Sequence, residues 1–481
     1  MKILFIHTAK DSQEELLDRY EEMQFGISYI SSWLKANGHE TRLLYLCGKY
    51  RPEQVDRCIA EYHPALVCFT AVYSEYNFVA GVAAYVKEKY PRIFLLAGGA
   101  QVTLNREICL ADPFDALCIG EGEEPTLELV QQLAAGHDPA GIRNLWIKRG
   151  DVVERNPSRP FMADLDAFPF PDREMWREWI GNPGTRQVLF MGRGCPFPCT
   201  YCSNHALKKV ADGAYVRYRK PSCIVAELEG IRKQFPETRE VYLEIESFSV
   251  NMEWALDVCS ALEGFNRFND QQLSFGVNLR LTTNNRFEEL FPALKLANFR
   301  FINIGLESGS ERVRREVLKR HYSNNDVVTA SRLAHEHGLQ VSMYVLVGVP
   351  GETLGDFMET VRVLREAQPD FCGDSIFFPY PGTELYNRAR AEGLLPERLD
   401  MTMERRRATL DMPGFSRRQI LRSYFLFDHY VYHGVRPWYK IYPRVLNKII
   451  YATPFLYALT NNRFAGWLRK SLRGLLRPSN Q

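Results

Sequence analysis

The 481-residue chain is short of several features, and each shortage narrows what it does. No stretch offers about 18 uninterrupted apolar residues, so no membrane-spanning helix is expected. The formal net charge is only +2, which leaves no bulk electrostatic case for a nucleic-acid partner. The apolar stretch that opens MKILFIHTAKDSQEE is too short for a secretory leader, and a cytoplasmic, thiol-reducing location is expected. No internal repeat recurs at solenoid periods. Apolar residues at 46% and charged residues at 25% exclude wholesale disorder. Paired cysteines are scarce as well. Of eleven, Cys47, Cys58, Cys68, Cys109, Cys118, Cys223, Cys259 and Cys372 stand singly and read as small buried core residues. The remaining three cluster.

What is present is an alternation of strand and helix. KILFIHTA, TRLLYL, ALVCFTA, RIFLLAGG and DALCIG read as strands. Between and after them FGISYISSWLKANG, PEQVDRCIAEY, FVAGVAAYVKEKY and EPTLELVQQLAAG read as helices. Continuous apolar strands separated by helices predict a parallel, doubly wound α/β domain over residues 1–135. Residues 136–185 carry Pro157, Pro160, Pro169, Pro171 and Pro183 and are expected to form a linker. A second series starts at QVLFMGRG, with strands expected at 187–191, 240–246, 273–279, 300–306, 340–347 and 374–378. These βα units predict a partial (β/α)6 barrel over 186–385, with ligands at the C-terminal strand ends. Residues 386–481 turn helical, basic and aromatic.

Directly after the first barrel strand stands Cys195-Pro-Phe-Pro-Cys199-Thr-Tyr-Cys202. Three thiolates within one short loop rich in glycine and proline suit three corners of a cubane iron–sulfur cluster. Zinc ordinarily takes two C-x-x-C pairs or histidines, and His205 is the residue that would complete a Cys3His zinc site instead. Three cysteines leave one iron open to a chelating ligand. The run resembles the radical S-adenosylmethionine (SAM) superfamily, whose signature is C-x-x-x-C-x-aromatic-C, with Tyr201 in the aromatic position. The resemblance implies a [4Fe–4S] cluster on Cys195, Cys199 and Cys202. It also implies SAM chelated to the open iron and cleaved reductively to a 5′-deoxyadenosyl radical.

FINIGLESGSERV, VLVGVPGETLGDF and PYPGTELY resemble the subgroup that carries a cobalamin (B12)-binding-type, Rossmann-like domain before the barrel. GISYISSWLKANGHE, LLAGGAQVTLN and DALCIGEGEEPTLELV resemble that N-terminal domain, so the likeness reaches about residue 385. Site roles follow from it. Glu307, at a strand end, is placed to accept hydrogen bonds from the SAM ribose or amino group, or to pair with a nearby arginine. Glu246 matches the acidic position of the second strand better than Glu244, which alternation puts on the same face. Arg280 is either a bidentate partner of the SAM carboxylate or part of an internal salt bridge. Val347, Gly348 and Val349 lie where glycine lets backbone approach an adenine, in a turn leading to a helix capped at Thr353. Tyr201 offers its backbone to the adenine or its ring to packing. His205, Tyr215, Tyr218 and Arg219 follow the cluster loop without an assigned role, and Lys319, Arg320 and His321 read as a solvated basic face.

In the cobalamin-type domain the resemblance places Gly98 and Gly99 along the groove for the nucleotide tail. Thr70 and Ser74 stand beside it, and Glu121 is a fold marker capping the next helix. There is no Asp-x-His-x-x-Gly, hence no histidine for the lower face of cobalt, and Gln101 stands where histidine is frequent. The implied activity is hydrogen abstraction from an unactivated carbon followed by cobalamin-dependent C-methylation. The alternative is a cobalamin-independent dehydratase, epimerase or cyclase working on a sugar or other secondary metabolite. A non-catalytic iron–sulfur or zinc protein is a third reading, against which the motifs around Glu307 and Gly348 speak. The implied partners are a small-molecule or lipid-like substrate and an electron donor such as flavodoxin or ferredoxin. The basic, aromatic C-terminal stretch either meets a membrane surface peripherally or caps the barrel.

Overall fold

The computed structural model describes residues 1–9, 23–48, 50–180, 185–269, 271–397, 399, 404–453 and 456. The described residues fall into two compact units. The first holds those up to 197 together with 202–238, and the second holds 198–201 and those from 239 onward.

The first unit begins with β1 (Lys2–Ala9), β2 (Glu40–Cys47), β3 (Leu66–Thr70), β4 (Phe94–Gly98) and β5 (Ala116–Cys118). With β6 (Leu145–Arg149) and β7 (Val152–Arg155) they form one sheet in the order β2-β1-β3-β4-β5-β6-β7. Pairing is parallel from β2 through β5. Ile3 to Ile6 of β1 and Leu66 to Phe69 of β3 are buried without alternation, as strands covered on both faces must be. The cover comes from helices Phe25–Ala36, Pro52–Tyr62, Tyr76–Lys89 and Glu123–Ala134. Strand order reverses between β1 and β3, and an open sheet of this kind forms its crevice at the carboxyl ends beside that reversal.

β6 and β7 are an antiparallel hairpin turning at Gly150 (φ 57°), inside the span expected to be a linker. Their sequence, LWIKRGDVVER, mixes apolar and charged residues like a half-exposed hairpin, and the neighbouring prolines masked it. The same unit then continues through β8 (Arg186–Phe190), an antiparallel pair of β9 (Gly192–Arg193) with β10 (Arg217–Tyr218), and helix Pro221–Gln234.

In the second unit β11 (Glu240–Glu244), β12 (Ser274–Leu279), β13 (Phe299–Glu307), β14 (Gln340–Val347) and β15 (Phe371–Ile376) pair in parallel in chain order. With β8, every expected barrel strand is present, though the last begins at Phe371 rather than 374. Helices Met252–Arg267, Phe287–Leu296, Asn324–Glu336 and Leu354–Ala367 alternate with them. Capping boxes of Ser323 with Asp326 and Thr353 with Asp356 start two of these helices. Val241, Leu243, Val277, Ile302, Ile304, Val341 and Met343 are fully buried on one face of the sheet, each contributing about 1.5–3 kcal/mol. The opposite face carries Tyr242, Asn278, Phe301, Asn303 and Tyr344.

Two C-terminal helices, Arg417–Tyr432 and Trp438–Ala452, are fastened to β15 by buried charge. Lys448 Nζ lies 2.5 Å from Asp374 and 2.7 Å from Asp428, and Arg444 Nε lies 3.0 Å from Asp428. These ion pairs pack both helices against β15, while most of the basic tail after residue 453 lies outside the described residues.

Candidate functional site

The cysteine loop leaves the β9–β10 pair through Gly194, whose φ is +84°. A Cβ there would stand 2.1 Å from the Tyr215 carbonyl oxygen, so glycine is required. Cys195 and Cys199 are buried, Cys202 is half-buried, and none is in a disulfide. Two of the sulfurs accept hydrogen bonds. Arg280 Nη1 donates to Cys199 Sγ at 2.9 Å, and the Asn204 backbone N–H and Nδ2 donate to Cys202 Sγ at 3.5 and 3.7 Å. Donors aimed at sulfur favour the thiolate, the form that ligates iron. Among the described residues no three Cys, His, Asp or Glu side chains stand already converged on a metal position. The fit to an iron–sulfur cluster thus rests on ligand type, spacing and the donors around the sulfurs. His205 is half-buried on the short helix Asn204–Leu207.

In the second unit, Arg280 follows the last residue of β12, and its Nη1 is the donor to Cys199 described above. Glu307 ends β13 with φ +61°, an uncommon and strained conformation for a non-glycine residue. Its Oε1 pairs with Arg320 Nη1 at 3.2 Å. Arg320 also donates to Tyr201 Oη at 2.8 Å and to the Gly305 carbonyl at 2.6 Å. Arg320 is 5% exposed, which corrects its reading as a solvated face. A π turn at Val313–Val317 and the fully buried Arg314, which donates to the Ser308 and Tyr322 carbonyls, fold this segment back and carry Arg320 inward. Lys319 pairs with Glu384, and His321 is exposed. The Tyr201 ring is thus tied by its hydroxyl.

β11 ends at Glu244, so Glu246 lies two residues beyond the strand and is exposed. Val347 ends β14, and Gly348 follows with φ +82°. A Cβ on Gly348 would meet Ile420 at 2.9 Å, so helix Arg417–Tyr432 approaches this glycine closely. The Gly348 and Val349 N–H groups both donate to Glu352 Oε2, at 2.6 and 3.2 Å. Burial pushes the Glu352 carboxyl up to about 8 against those two donors. Its signal in the sequence, a glutamate four residues after the strand-end glycine, went unused. The partly exposed sheet face is a second unassigned feature. Tyr242 and Phe301 stack at 3°, and Tyr242 Oη bonds Asn278 Oδ1 at 2.6 Å and accepts from Asn303 Nδ2 at 3.1 Å.

In the first unit Thr70 and Gly98 are register partners at the carboxyl ends of β3 and β4. Gly99 has φ +96°, and a Cβ on it would fall 2.7 Å from the Ala71 oxygen and 2.8 Å from Thr70 Oγ1. Ser74 follows in the 3₁₀ turn Tyr73–Glu75. Small residues therefore gather at the carboxyl ends of β3 and β4. Gln101 is buried, and its Oε1 accepts from Asn105 Nδ2 at 2.9 Å. Glu121 does not cap the following helix, whose N-cap is Gly122 with no side-chain bond. Its Oε1 instead pairs with Arg193 at 3.0 Å and Arg217 at 2.9 Å, and the Met162 N–H donates to its Oε2 at 2.9 Å. Burial works against ionisation, but Arg193 and Arg217 prevail and hold the carboxyl below its usual range.

A doubly wound domain, a series of parallel barrel strands and a three-cysteine loop define an iron–sulfur enzyme built behind a nucleotide-type domain. Comparison with known families agrees. Residues 189–364 match the radical SAM superfamily and residues 19–130 match the B12 binding domain. The chain thus carries a radical SAM domain preceded by a B12 binding domain. That class uses a [4Fe–4S] cluster and SAM, and the N-terminal domain adds cobalamin. The chain is 25% identical to the uncharacterized methyltransferase PH0819 of Pyrococcus horikoshii, over 99% of this chain and 98% of that protein. It is also 25% identical to an anaerobic magnesium-protoporphyrin IX monomethyl ester cyclase of Rubrivivax gelatinosus, over 80% and 69% of the two chains. Among solved structures, the cobalamin-dependent SAM radical enzyme OxsB, with aqua-cobalamin and SAM bound, has the same fold. It superposes with a TM-score of 0.70 over 98% of this chain and 75% of that one, at 14% identity.

Proposed function

We propose that the protein is a cobalamin-dependent radical SAM methyltransferase that methylates an unactivated carbon of a small-molecule or lipid-like substrate. The observation that carries this reading is the joining, in one chain, of a B12 binding domain to a cysteine loop whose sulfurs receive N–H donors. Alignment with PH0819 along nearly the whole chain supports it. When bound, the cluster and SAM supply a hydrogen-abstracting radical and cobalamin carries the methyl group. The chain's own residues hold and orient. Cys195, Cys199 and Cys202 ligate iron, with Arg280 and Asn204 stabilising thiolate. Glu307, held by Arg320, presents its carboxylate to the SAM ribose or amino group, and Val347, Gly348 and the Tyr201 backbone border the adenine. Glu246 lies close enough in sequence to β11 to serve SAM or substrate.

In the N-terminal domain Thr70, Ser74, Gly98 and Gly99 border the cobalamin tail. Gln101, held by Asn105, stands where a histidine is frequent and offers cobalt no imidazole. Glu121 ties the domain's β5 loop to the arginines beside the cysteine loop. The functional domains are taken as 1–135, 186–385 and 386–481, with flavodoxin or ferredoxin as electron donor and a cytoplasmic location. No described helix is long and apolar enough to cross a membrane. Trp438, Tyr439, Tyr442 and Leu446 lie exposed on helix Trp438–Ala452, which supports a peripheral membrane contact and hence a lipid-like substrate.

A second reading, a radical cyclase without methyl transfer, is favoured by the equal identity to the magnesium-protoporphyrin cyclase. Anaerobic reconstitution with iron, sulfide and hydroxocobalamin, followed by metal and product analysis, separates the readings. Retained cobalt with 5′-deoxyadenosine and S-adenosylhomocysteine supports methyl transfer. 5′-Deoxyadenosine without cobalt supports the cyclase, and zinc in place of iron refutes both.

A further inference from the structure

Asn204, Tyr215 and Cys202 form a buried chain of hydrogen bonds that neither the sequence motifs nor the family roles account for. Asn204 and Tyr215 are each 9% exposed. Tyr215 Oη donates to Asn204 Oδ1 at 2.5 Å, while Asn204 Nδ2 and its backbone N–H point at Cys202 Sγ. An asparagine amide has an acceptor end and a donor end, and turning it over exchanges them. With the phenol hydroxyl donating to Oδ1, the amide is held in the orientation in which Nδ2 faces sulfur.

The tyrosine is itself held from three sides. Its ring lies 5.1 Å from that of Phe161. Its carbonyl oxygen accepts from Arg217 Nε at 3.2 Å and crowds Gly194. Arg217 in turn is fixed by Glu121. The phenol direction is thus set by the β5 loop and the β9–β10 pair of the same unit.

We infer that Tyr215 is a positioning residue that aims the Asn204 amide at the Cys202 sulfur and thereby sets the redox potential of the cluster. The inference rests on the iron–sulfur reading of the loop. Reducing a cluster by one electron adds negative charge to its sulfurs, and an N–H donor on a ligating sulfur stabilises that charge. Hydrogen bonds to sulfur are among the levers that raise cluster potentials. Removing the donor, or the group that aims it, lowers the potential.

The test uses the full-length protein reconstituted anaerobically, with Tyr215→Phe, Asn204→Ala and the double variant. Each is poised with dithionite and read by the electron paramagnetic resonance of the reduced cluster. Tyr215→Phe keeps the ring against Phe161 and removes only the hydroxyl. Both single variants are expected to retain iron and sulfide at wild-type stoichiometry. At a fixed poise their ratio of reduced to oxidised cluster is expected to fall about fivefold, the equilibrium weight of one ordinary hydrogen bond. The double variant is expected to fall no further than Asn204→Ala, since the tyrosine acts through the amide. An unchanged potential in Tyr215→Phe overturns the inference, and so does loss of the cluster from it, which makes the hydroxyl a retention group. A wild-type protein that takes up no iron overturns the cluster reading itself.

Discussion

Arg320→Met isolates what one inward-pointing arginine contributes to the strand-end site. The wild-type guanidinium satisfies Glu307, the Tyr201 hydroxyl and the Gly305 carbonyl at once. Methionine fills similar volume but donates to none of them. Glu307 has a side chain only 14% exposed and loses its ion-pair partner. Breaking a buried pair by removing one partner costs about 3–5 kcal/mol. Glu307→Gln leaves a neutral acceptor for Arg320 and is expected to cost about 1 kcal/mol, the scale of a weakened hydrogen bond. The double variant Arg320→Met with Glu307→Gln removes the lone charge and is expected to be more stable than Arg320→Met alone. A chain of two units does not unfold in one step, so the assay is native-state hydrogen exchange of the β13 and β14 amides. Loss of about 3 kcal/mol of protection in Ile302–Leu306, partly restored in the double variant, is the expected result. Protection within about 0.5 kcal/mol of wild type in Arg320→Met would mean that the carboxylate is solvated and the network reasoning fails.

Glu352→Gln tests the carboxyl beneath the Gly348 turn. The buried group titrates near 8 and the unfolded chain near 4.5, so between those values the folded state binds the extra proton and stability falls as pH rises. The variant is expected to flatten that fall in thermal midpoint between pH about 5 and about 8, and an identical slope in both proteins counts against it. Gly99→Ala forces a Cβ against the Ala71 and Thr70 atoms at a φ of +96°. It is expected to cost about 1–3 kcal/mol from the backbone and a similar amount from overlap, with weakened cobalamin retention. Gly38→Ala, at φ +80° with open space around it, carries the backbone cost alone and serves as its control in urea unfolding. Lys448→Met strands Asp374, whose side chain is 2% exposed, and leaves Asp428 to Arg444 alone, at about 3–5 kcal/mol. Faster proteolysis between the two C-terminal helices is the expected readout, and adding Asp374→Asn restores part of the resistance.

Most of the architecture was readable before any coordinates, for reasons that differ from element to element. β1 and β3 to β5 announced themselves as apolar runs, as strands covered on both faces do, and the edge strand β2 did so through its apolar half. The cysteine loop was readable because its spacing is covalent. The β6–β7 hairpin was obscured by flanking prolines that dominate any compositional reading. Arg320 was unreadable because its direction depends on a π turn and on a glutamate in a left-handed backbone conformation, neither of which leaves a periodic mark. Glu121 was misjudged for another reason. Its position before a helix suggested a cap, but its partners Arg193 and Arg217 lie 72 and 96 residues away. The Tyr242, Asn278 and Asn303 cluster needed the register of β11 to β13, since only pairing shows which residues of different strands share a face.

The aromatic rings on that face lie over glycines. A Cβ on Gly276 would fall 2.0 Å from the Phe301 ring, and one on Gly373 would fall 2.6 Å from the Tyr344 ring. Each ring occupies the place where a neighbouring side chain would begin, so the backbone floor is bare and the rings alone determine how much of it is covered. Shortening Phe301 or Tyr344 uncovers floor without deleting any contact on the helix-covered face. A library confined to these two positions would accordingly vary the room available to a guest molecule while leaving the helix-covered face of the sheet unchanged.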